Sequence, residues 1–312
     1  MKSLKYGATM YMPALRSDLA EAGNGEKFPG LRSVVFCTED SVSEEDLPLA
    51  LENIRRALSR LDEGGICRFI RPRSPRVLEA LLSMHGIARI TGFVLPKADR
   101  GTLPAYFRLL EGRGLGAFEI MPILETPAVF DLTELYLLRD YLVSSPLSER
   151  IAALRIGGLD LFSILRLRRD INRSVYESPV GHVIDRLITV FKPAGLELTA
   201  PGFEGLESPA VLAHELEMDI GRGLYSKTAI HPCQVDMINS AYRAAKDELE
   251  AAAAILDPAR PAVFRLHGRM CEKAVHTAWA TEIVERARLF GTAEVRAPLG
   301  LLAYQPTTIS EN

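Results

Sequence analysis

Cysteine is scarce and scattered in this chain of 312 residues: Cys37, Cys67, Cys233 and Cys271 stand far apart and form no C-x-x-C. That spacing suggests neither a zinc cluster nor a disulfide framework. Cys37 and Cys67 lie inside apolar, strand-like runs and read as core residues. No apolar run approaches the ~18 residues of a membrane span. The N-terminal MKSLKYGATMYMPAL lacks the apolar h-region and cleavage site of a signal peptide. A cytoplasmic protein with no membrane partner is expected. Basic excess is missing too: the formal net charge is −3, so no global field argues for nucleic acid. The local run Arg166–Arg169, with its loop to Arg173, reads as a solvated face or loop. No G-x-G-x-x-G follows the first strand-like run, which removes one reason for a dinucleotide-binding open sheet. Internal repeats and low-complexity tracts are absent.

What is present is ordinary globular composition, 47% hydrophobic and 25% charged, enough for a packed core. Eight apolar runs of strand length recur: Tyr6–Met12, Ser33–Cys37, Ile66–Ile70, Ile90–Leu95, Phe118–Leu124, Ile151–Ile156, Leu196–Thr199 and Leu224–Ile230. Most do not alternate strictly, as expected of strands buried on both faces. Helical patterns lie between them. Glu45–Leu61 carries Leu47, Leu51, Ile54, Leu58 and Leu61 at helical spacing, and Pro179–Phe191 carries Val180, Val183, Ile184, Leu187 and Ile188 on one stripe. Pro75–Met84, Thr102–Glu111, Thr133–Leu142 with Asp131 as cap, and Pro209–Ile220 complete the set. This alternation predicts an α/β fold, a (β/α)8 TIM barrel with a C-terminal helical extension. A doubly wound open sheet is the runner-up. The barrel is expected over residues 1–256. A long Ala-rich helix, Pro232–Leu256, should close it. Residues 257–312 then form an extension, with a strand at Ala262–Leu266, an amphipathic helix at Cys271–Phe290 and a frayed tail after Gly291, packing on the barrel or on a neighbouring subunit.

Barrel chemistry sits at the C-terminal ends of the strands. There the sequence places Thr38-Glu39-Asp40, Arg71-Pro72-Arg73, Pro96-Lys97, Glu125-Thr126-Pro127, Gly157-Gly158-Leu159-Asp160 and His231-Pro232, with Lys227 inside the last strand. Glu39, Asp40, Glu125 and Asp160 with Arg71 form a set that a single metal site can use. Mg²⁺ takes oxygen ligands, commonly one or two carboxylates, and leaves other positions to water and substrate. A guanidinium is the natural clamp for a substrate carboxylate, because its planar fork pairs with two oxygens.

The series FCTEDSV, RFIRPRS, GFVLPKAD, IMPILETP, RIGGLDL and YSKTAIHPCQ, spanning about Val34 to Gln234, resembles the HpcH/HpaI aldolase and citrate lyase β-subunit superfamily. Those proteins show LED, VRIN, LPK, IET, FG-x-x-D and GK-x-x-IHP-x-Q in the same order. The resemblance implies a Mg²⁺-dependent carbon–carbon lyase or aldolase acting on a 2-oxo or hydroxy acid or its acyl thioester. It implies Glu125 and Asp160 as metal ligands and Arg71 as the partner of the substrate carboxylate. It also implies Glu39 and Asp40 as acids beside the metal, acting through water, and Lys97 and Lys227 as motif lysines on the substrate side. The stretch Leu266–Val275 resembles the family's C-terminal G-x-M-x-D-x-P-x-V segment, which can reach a neighbouring subunit's site. Here Glu272 stands where an aspartate is usual, and the resemblance implies it as a catalytic general acid or base in that neighbouring site. A homo-oligomer, trimer or larger, is expected. The family's N-terminal R-S-x-L-x-x-P-G is replaced by Gly7-Ala8-Thr9-Met10-Tyr11-Met12-Pro13-Ala14, which counts against acyl-CoA as the substrate.

Blander roles compete for the same residues. Glu125 can support a helix N-terminus, Asp160 can be a turn residue, and Glu39 and Asp40 can cap the next helix. Lys97 can pair with Asp99 or another neighbour. His231 reads as holding the strand end, and Trp279 as a packing anchor. Two rival functions stand beside the lyase: a phosphate-ester or nucleotide-binding enzyme using Arg166–Arg169, and a non-catalytic ligand-binding barrel.

Overall fold

The computed structural model describes residues 3–112 and 118–294. The strands are β1 (Ala8–Pro13), β2 (Ser33–Cys37), β3 (Cys67–Arg71), β4 (Gly92–Leu95), β5 (Glu119–Leu124), β6 (Leu154–Ile156), β7 (Leu198–Thr199) and β8 (Lys227–Ala229). The helices around them are α1 (Leu19–Gly23), α2 (Leu47–Arg60), α3 (Pro75–Leu82), α4 (Leu103–Glu111), α5 (Leu132–Ser144), α6 (Gly158–Ile164), α7 (Pro179–Phe191) and α8 (Pro209–Gly221). Every strand pairs in parallel with its sequence neighbour from β1 to β7, and β1 pairs with β8. The ring closes between β7 and β8, where Ala200 bridges Lys227 and its N–H donates to the Ser226 carbonyl at 2.7 Å. This is the expected (β/α)8 barrel.

Strand period separates two cores. One set of side chains faces outward to the helices, among them Met10, Val34, Phe36, Ile70, Phe93, Leu95, Ile120 and Leu154. The other set fills the barrel: Val35, Phe69, Val94, Met121 and Ile123, over Tyr6 at the base and with Tyr11 above. Each inward side chain is followed two residues later by another. Val35 therefore leads to Cys37, Phe69 to Arg71, and Ile123 to Glu125 at the mouth. The helices start where the sequence signals them. Asp131 caps α5 by accepting from the N–H of Thr133 at 2.7 Å, and Ser74 caps α3 by accepting from the N–H of Val77 at 3.3 Å.

The C-terminal region differs from the expected single helix. Pro232–Leu256 is broken into a 3-10 turn (Pro232–Gln234), α9 (Val235–Ala241), a two-residue strand β9 (Ala244–Ala245) and α10 (Lys246–Leu256). The break has a partner: β9 pairs with β12 (Thr292–Ala293), and buried Arg286 donates to the carbonyls of Tyr242 and Arg243. The strand β10 (Val263–Leu266) pairs with β11 (Arg269–Glu272) in an antiparallel hairpin whose turn holds Gly268 at φ 75°. The last helix, α11 (Lys273–Phe290), therefore starts two residues later than its apolar pattern suggests. A small separate core of Ala244, Ala252, Ile255, Cys271, Ala280 and Ile283 joins α10, α11 and the hairpin. Most of the expected frayed tail lies outside the described residues.

Candidate active site at the barrel mouth

An open cavity of about 270 Å³ sits at the C-terminal ends of the strands. Tyr11, Asp40, Arg71, Glu125, Arg155 and Asp160 are among its walls. Glu125 follows β5 and is 3% exposed. Its Oε1 accepts from the backbone N–H of Lys97 at 2.8 Å. Lys97 reaches this position with φ 50°, a region that side-chain-bearing residues rarely occupy and that costs on the order of 1 kcal/mol. The strained turn after β4 thus holds the carboxylate after β5. Behind Glu125, Gly157 supplies the room: a Cβ there would collide with the Glu125 side chain. Burial, opposed by the Lys97 N–H and reinforced by the charge of Asp160, pushes the Glu125 carboxyl up to about 8.

The Lys97 ammonium lies among three carboxylates. It pairs with Asp160, and stands 3.7 Å from Glu125 Oε1 and 4.0 Å from Glu39 Oε1. Asp99 takes no part; its Oδ1 accepts from the N–H groups of Gly101 and Thr102 in its own turn. On the other side of Glu39, Arg71 Nη1 pairs with Glu39 Oε2 at 2.9 Å and Asp40 Oδ2 at 3.1 Å. Arg71 also donates through Nε and Nη2 to Cys37 Sγ at 3.2 and 2.9 Å, and its guanidinium lies over the Tyr11 ring at 5.0 Å. Burial raises the Glu39 carboxyl above its ordinary value against the opposing charge of Arg71. Glu39, Asp40, Arg71, Lys97, Glu125 and Asp160 therefore form one connected cluster drawn from five βα junctions.

The cluster suits a divalent cation. Glu125 and Asp160 already stabilise one positive charge, the Lys97 ammonium, beside an open cavity. Among the described residues no group of three or more His, Cys, Asp and Glu side chains is arranged to enclose a metal. A pair of carboxylates with the remaining positions open is the pattern Mg²⁺ uses, rather than that of a closed structural zinc site.

A family model described as C-C bond lyase of the TIM-barrel fold matches residues 1–292. The chain belongs to this family. Among curated relatives, a (3S)-malyl-CoA thioesterase of Cereibacter sphaeroides is 21% identical over 247 residues, covering 79% of this chain and 80% of that protein. Among solved structures, a citrate lyase from Burkholderia xenovorans superposes with a TM-score of 0.68 at 17% identity, covering 94% of this chain and 96% of that one. The protein CitE from Mycobacterium tuberculosis, in complex with magnesium, acetoacetate and coenzyme A, superposes with a TM-score of 0.67 at 19% identity, covering 92% and 100%. At these identities the structures speak for the shared fold. The lyase family and the barrel agree with the motif series.

Lys227, expected near substrate, lies elsewhere in this lyase, and Glu272, expected to act in a neighbouring subunit's site, lies away from this chain's own cavity. Lys227 is sealed between β8 and α8, where its Nζ donates to Glu215 Oε1 at 2.8 Å and Asp219 Oδ2 at 2.9 Å. Its strand neighbour Thr228 faces the cavity, so Lys227 must face outward. Glu272 ends β11 in the C-terminal hairpin and is not among the residues lining this chain's cavity. The basic run after α6 also separates: Arg166 and Arg168 are exposed, whereas Arg169 is buried and pairs with Glu215. His231 accepts from the N–H of Cys233 at 3.2 Å, holding the end of β8 as expected.

The sequence reading missed Tyr11, Arg155 and Thr228. Arg155 carried a usable signal, a charged residue in the centre of the buried run Ile151–Ile156.

Proposed function

We propose that this lyase makes or breaks a carbon–carbon bond next to a carboxylate in a 2-oxo or hydroxy acid, with Mg²⁺ as its cofactor. The observation that carries the reading is the Glu125–Asp160 pair around a cation, next to Arg71 in an open cavity. Glu125 and Asp160 would hold the metal. When bound, Mg²⁺ supplies Lewis acidity toward the carbonyl or hydroxyl oxygen beside the substrate carboxylate. Arg71, braced by Cys37, Glu39 and Asp40, orients that carboxylate. Glu39, which stands between Arg71 and Lys97 and whose carboxyl is raised by burial, is placed to hold or move a substrate proton. The Lys97 ammonium offsets the mutual repulsion of these carboxylates and would compete with the metal for them.

The relatives support this reading from outside the chain. One is a thioesterase of a malyl-CoA, and another, a citrate lyase β subunit from Mycobacterium tuberculosis, was solved with oxaloacetate and magnesium at a TM-score of 0.57, 19% identity and coverage of 78% and 100%. An acyl-CoA partner remains an arm of the test. We assign Glu272 to a neighbouring subunit's site in a homo-oligomer; exposed Val263, Met270 and Val275 on the hairpin and the start of α11 give such a contact its apolar surface. The phosphate-ester alternative loses its main support, because Arg169 is tied to Glu215 and the exposed arginines do not line the cavity.

The test is turnover with pyruvate, oxaloacetate, malate, glyoxylate and their thioesters, each with Mg²⁺ and with EDTA. Mg²⁺-dependent cleavage or condensation of one acid supports the reading. Ligand binding without turnover across the whole panel would favour a non-catalytic barrel.

A further inference from the structure

Among the cationic groups around the cavity, Arg155 is the odd one. Arg71 is matched by Glu39 and Asp40, and Lys97 by Asp160 and Glu125. Arg155 is 2% exposed and lines the cavity. Its neighbours are neutral: Nη2 donates to Thr228 Oγ1 at 2.6 Å, Nη1 faces Met121 Sδ at 3.8 Å, and its guanidinium lies over the Tyr11 ring at 5.4 Å. Among the described residues it has no carboxylate in ion-pair contact. A guanidinium cannot escape this cost by losing its proton. A buried charge without a partner is costly, and proteins keep such a group where a ligand completes it.

The strand geometry places it for that purpose. Arg155 sits on β6, two residues before Gly157, and its side chain crosses the barrel to β8, beneath the mouth where Asp160 and Glu125 stand. Tyr11 of β1 separates it from Arg71, since both guanidinium groups pack on that one ring. The cavity thus offers two planar forks, Arg71 braced by protein carboxylates and Arg155 with neutral partners alone.

We propose that Arg155, with Thr228 and Tyr11, is a second anion-recognition point that takes a distal carboxylate or phosphate of the substrate and selects acids with two anionic groups. The proposal deepens the reading above, and rests on it for which end of the acid meets Glu125 and Asp160. Arg155 is a specificity-determining residue in this scheme. Its fork pairs with the distal group, Thr228 orients the fork, and the Tyr11 ring screens it from Arg71.

The experiment is calorimetric titration of wild type, Arg155→Met and Arg155→Lys with pyruvate, oxaloacetate and phosphonopyruvate in Mg²⁺. The same proteins are titrated with succinate and inorganic phosphate in EDTA, and their thermal midpoints are recorded. Wild type should bind one of the two dianions about tenfold or more tighter than pyruvate, as a charge-assisted pair allows. Whether oxaloacetate or phosphonopyruvate wins separates carboxylate from phosphate. Arg155→Met should remove that preference and leave pyruvate within about twofold, and Arg155→Lys should keep part of it. The Arg155→Met midpoint should stay level or rise, because a buried unpaired charge is removed. Equal weakening of pyruvate and both dianions, a lowered midpoint in both variants, or no dianion preference in wild type overturns the proposal. If no oxo acid binds wild type in Mg²⁺, the function proposed above fails. The anion point is then decided by the EDTA arm: binding of succinate or phosphate that Arg155→Met abolishes sustains it, and its absence in wild type overturns it.

Discussion

Two clusters in this barrel are built from the same parts, a lysine between two carboxylates. Lys97 lies with Glu125 and Asp160 at the mouth. Lys227 lies with Glu215 and Asp219 between β8 and α8. In the second, all three side chains are 0% exposed. In the first, the side chains of Lys97 and Asp160 are 40% and 34% exposed, while that of Glu125 is 2%. The sealed cluster is also saturated. Arg169 pairs with Glu215, the Val175 N–H donates to Glu215 Oε2 at 2.7 Å, and Tyr176 donates to Asp219 at 2.5 Å. Such a set fixes a helix on a strand, since removing any member strands a buried charge. The open set, on the function proposed above, would exchange its lysine for Mg²⁺. Chemistry therefore resides where a charge cluster meets a cavity, and architecture where it does not.

The largest expected effect breaks the open cluster. Glu125→Gln should lose Mg²⁺ binding and cut turnover by about 10³-fold or more, as loss of a principal electrostatic group does, with thermal stability kept, since a desolvated carboxyl is removed. Lys227→Met should do the reverse: a stability loss of about 3–5 kcal/mol in urea unfolding, with Mg²⁺ affinity unchanged. If Lys227→Met instead abolished Mg²⁺ binding in a folded protein, the division between the clusters would fail. Gly157→Ala forces Glu125 aside, and calorimetry should show Mg²⁺ affinity falling about tenfold, the equivalent of about 1.4 kcal/mol. Lys97→Met removes the resident ammonium, and Mg²⁺ should bind several-fold tighter; weaker binding would show that Lys97 supports the metal rather than competing with it.

The smallest effect concerns pH in the sealed cluster. Burial raises the Asp219 carboxyl from 3.8 to about 6, against the charge of Lys227 and with help from Glu215. Between those values the folded state holds a proton that the unfolded state has released. That contribution to stability therefore falls as pH rises through the window. Wild type measured against Asp219→Asn should lose relative stability between pH 4 and 6 and stay level above about 7. A difference that grows with pH across that window would show that Asp219 is not held protonated by its burial.

The comparison also explains what was legible in the sequence. All eight strands were marked by their apolar runs, because a closed parallel sheet buries both faces and writes its strands as near-continuous hydrophobic stretches. The mouth residues followed, since Arg71 and Glu125 stand at the ends of such runs and the barrel collects strand ends. Lys227 and Arg155 were harder for one shared reason. Each lies inside a short strand, and whether it faces the barrel or the helices depends on register, which a three-residue strand fixes only through its pairing. The broken C-terminal helix was hidden by alanine. The Ala-rich segment suits a helix, yet pairing of β9 with β12 and the hydrogen bonds from Arg286 hold Tyr242–Ala245 out of one.

The most direct test of the central claim is calorimetric binding of oxaloacetate to wild type and Glu125→Gln, with Mg²⁺ and with EDTA. The account requires binding to wild type in Mg²⁺ to be tighter by about tenfold or more than in any of the other three combinations. Binding that ignores both the metal and Glu125 would contradict it.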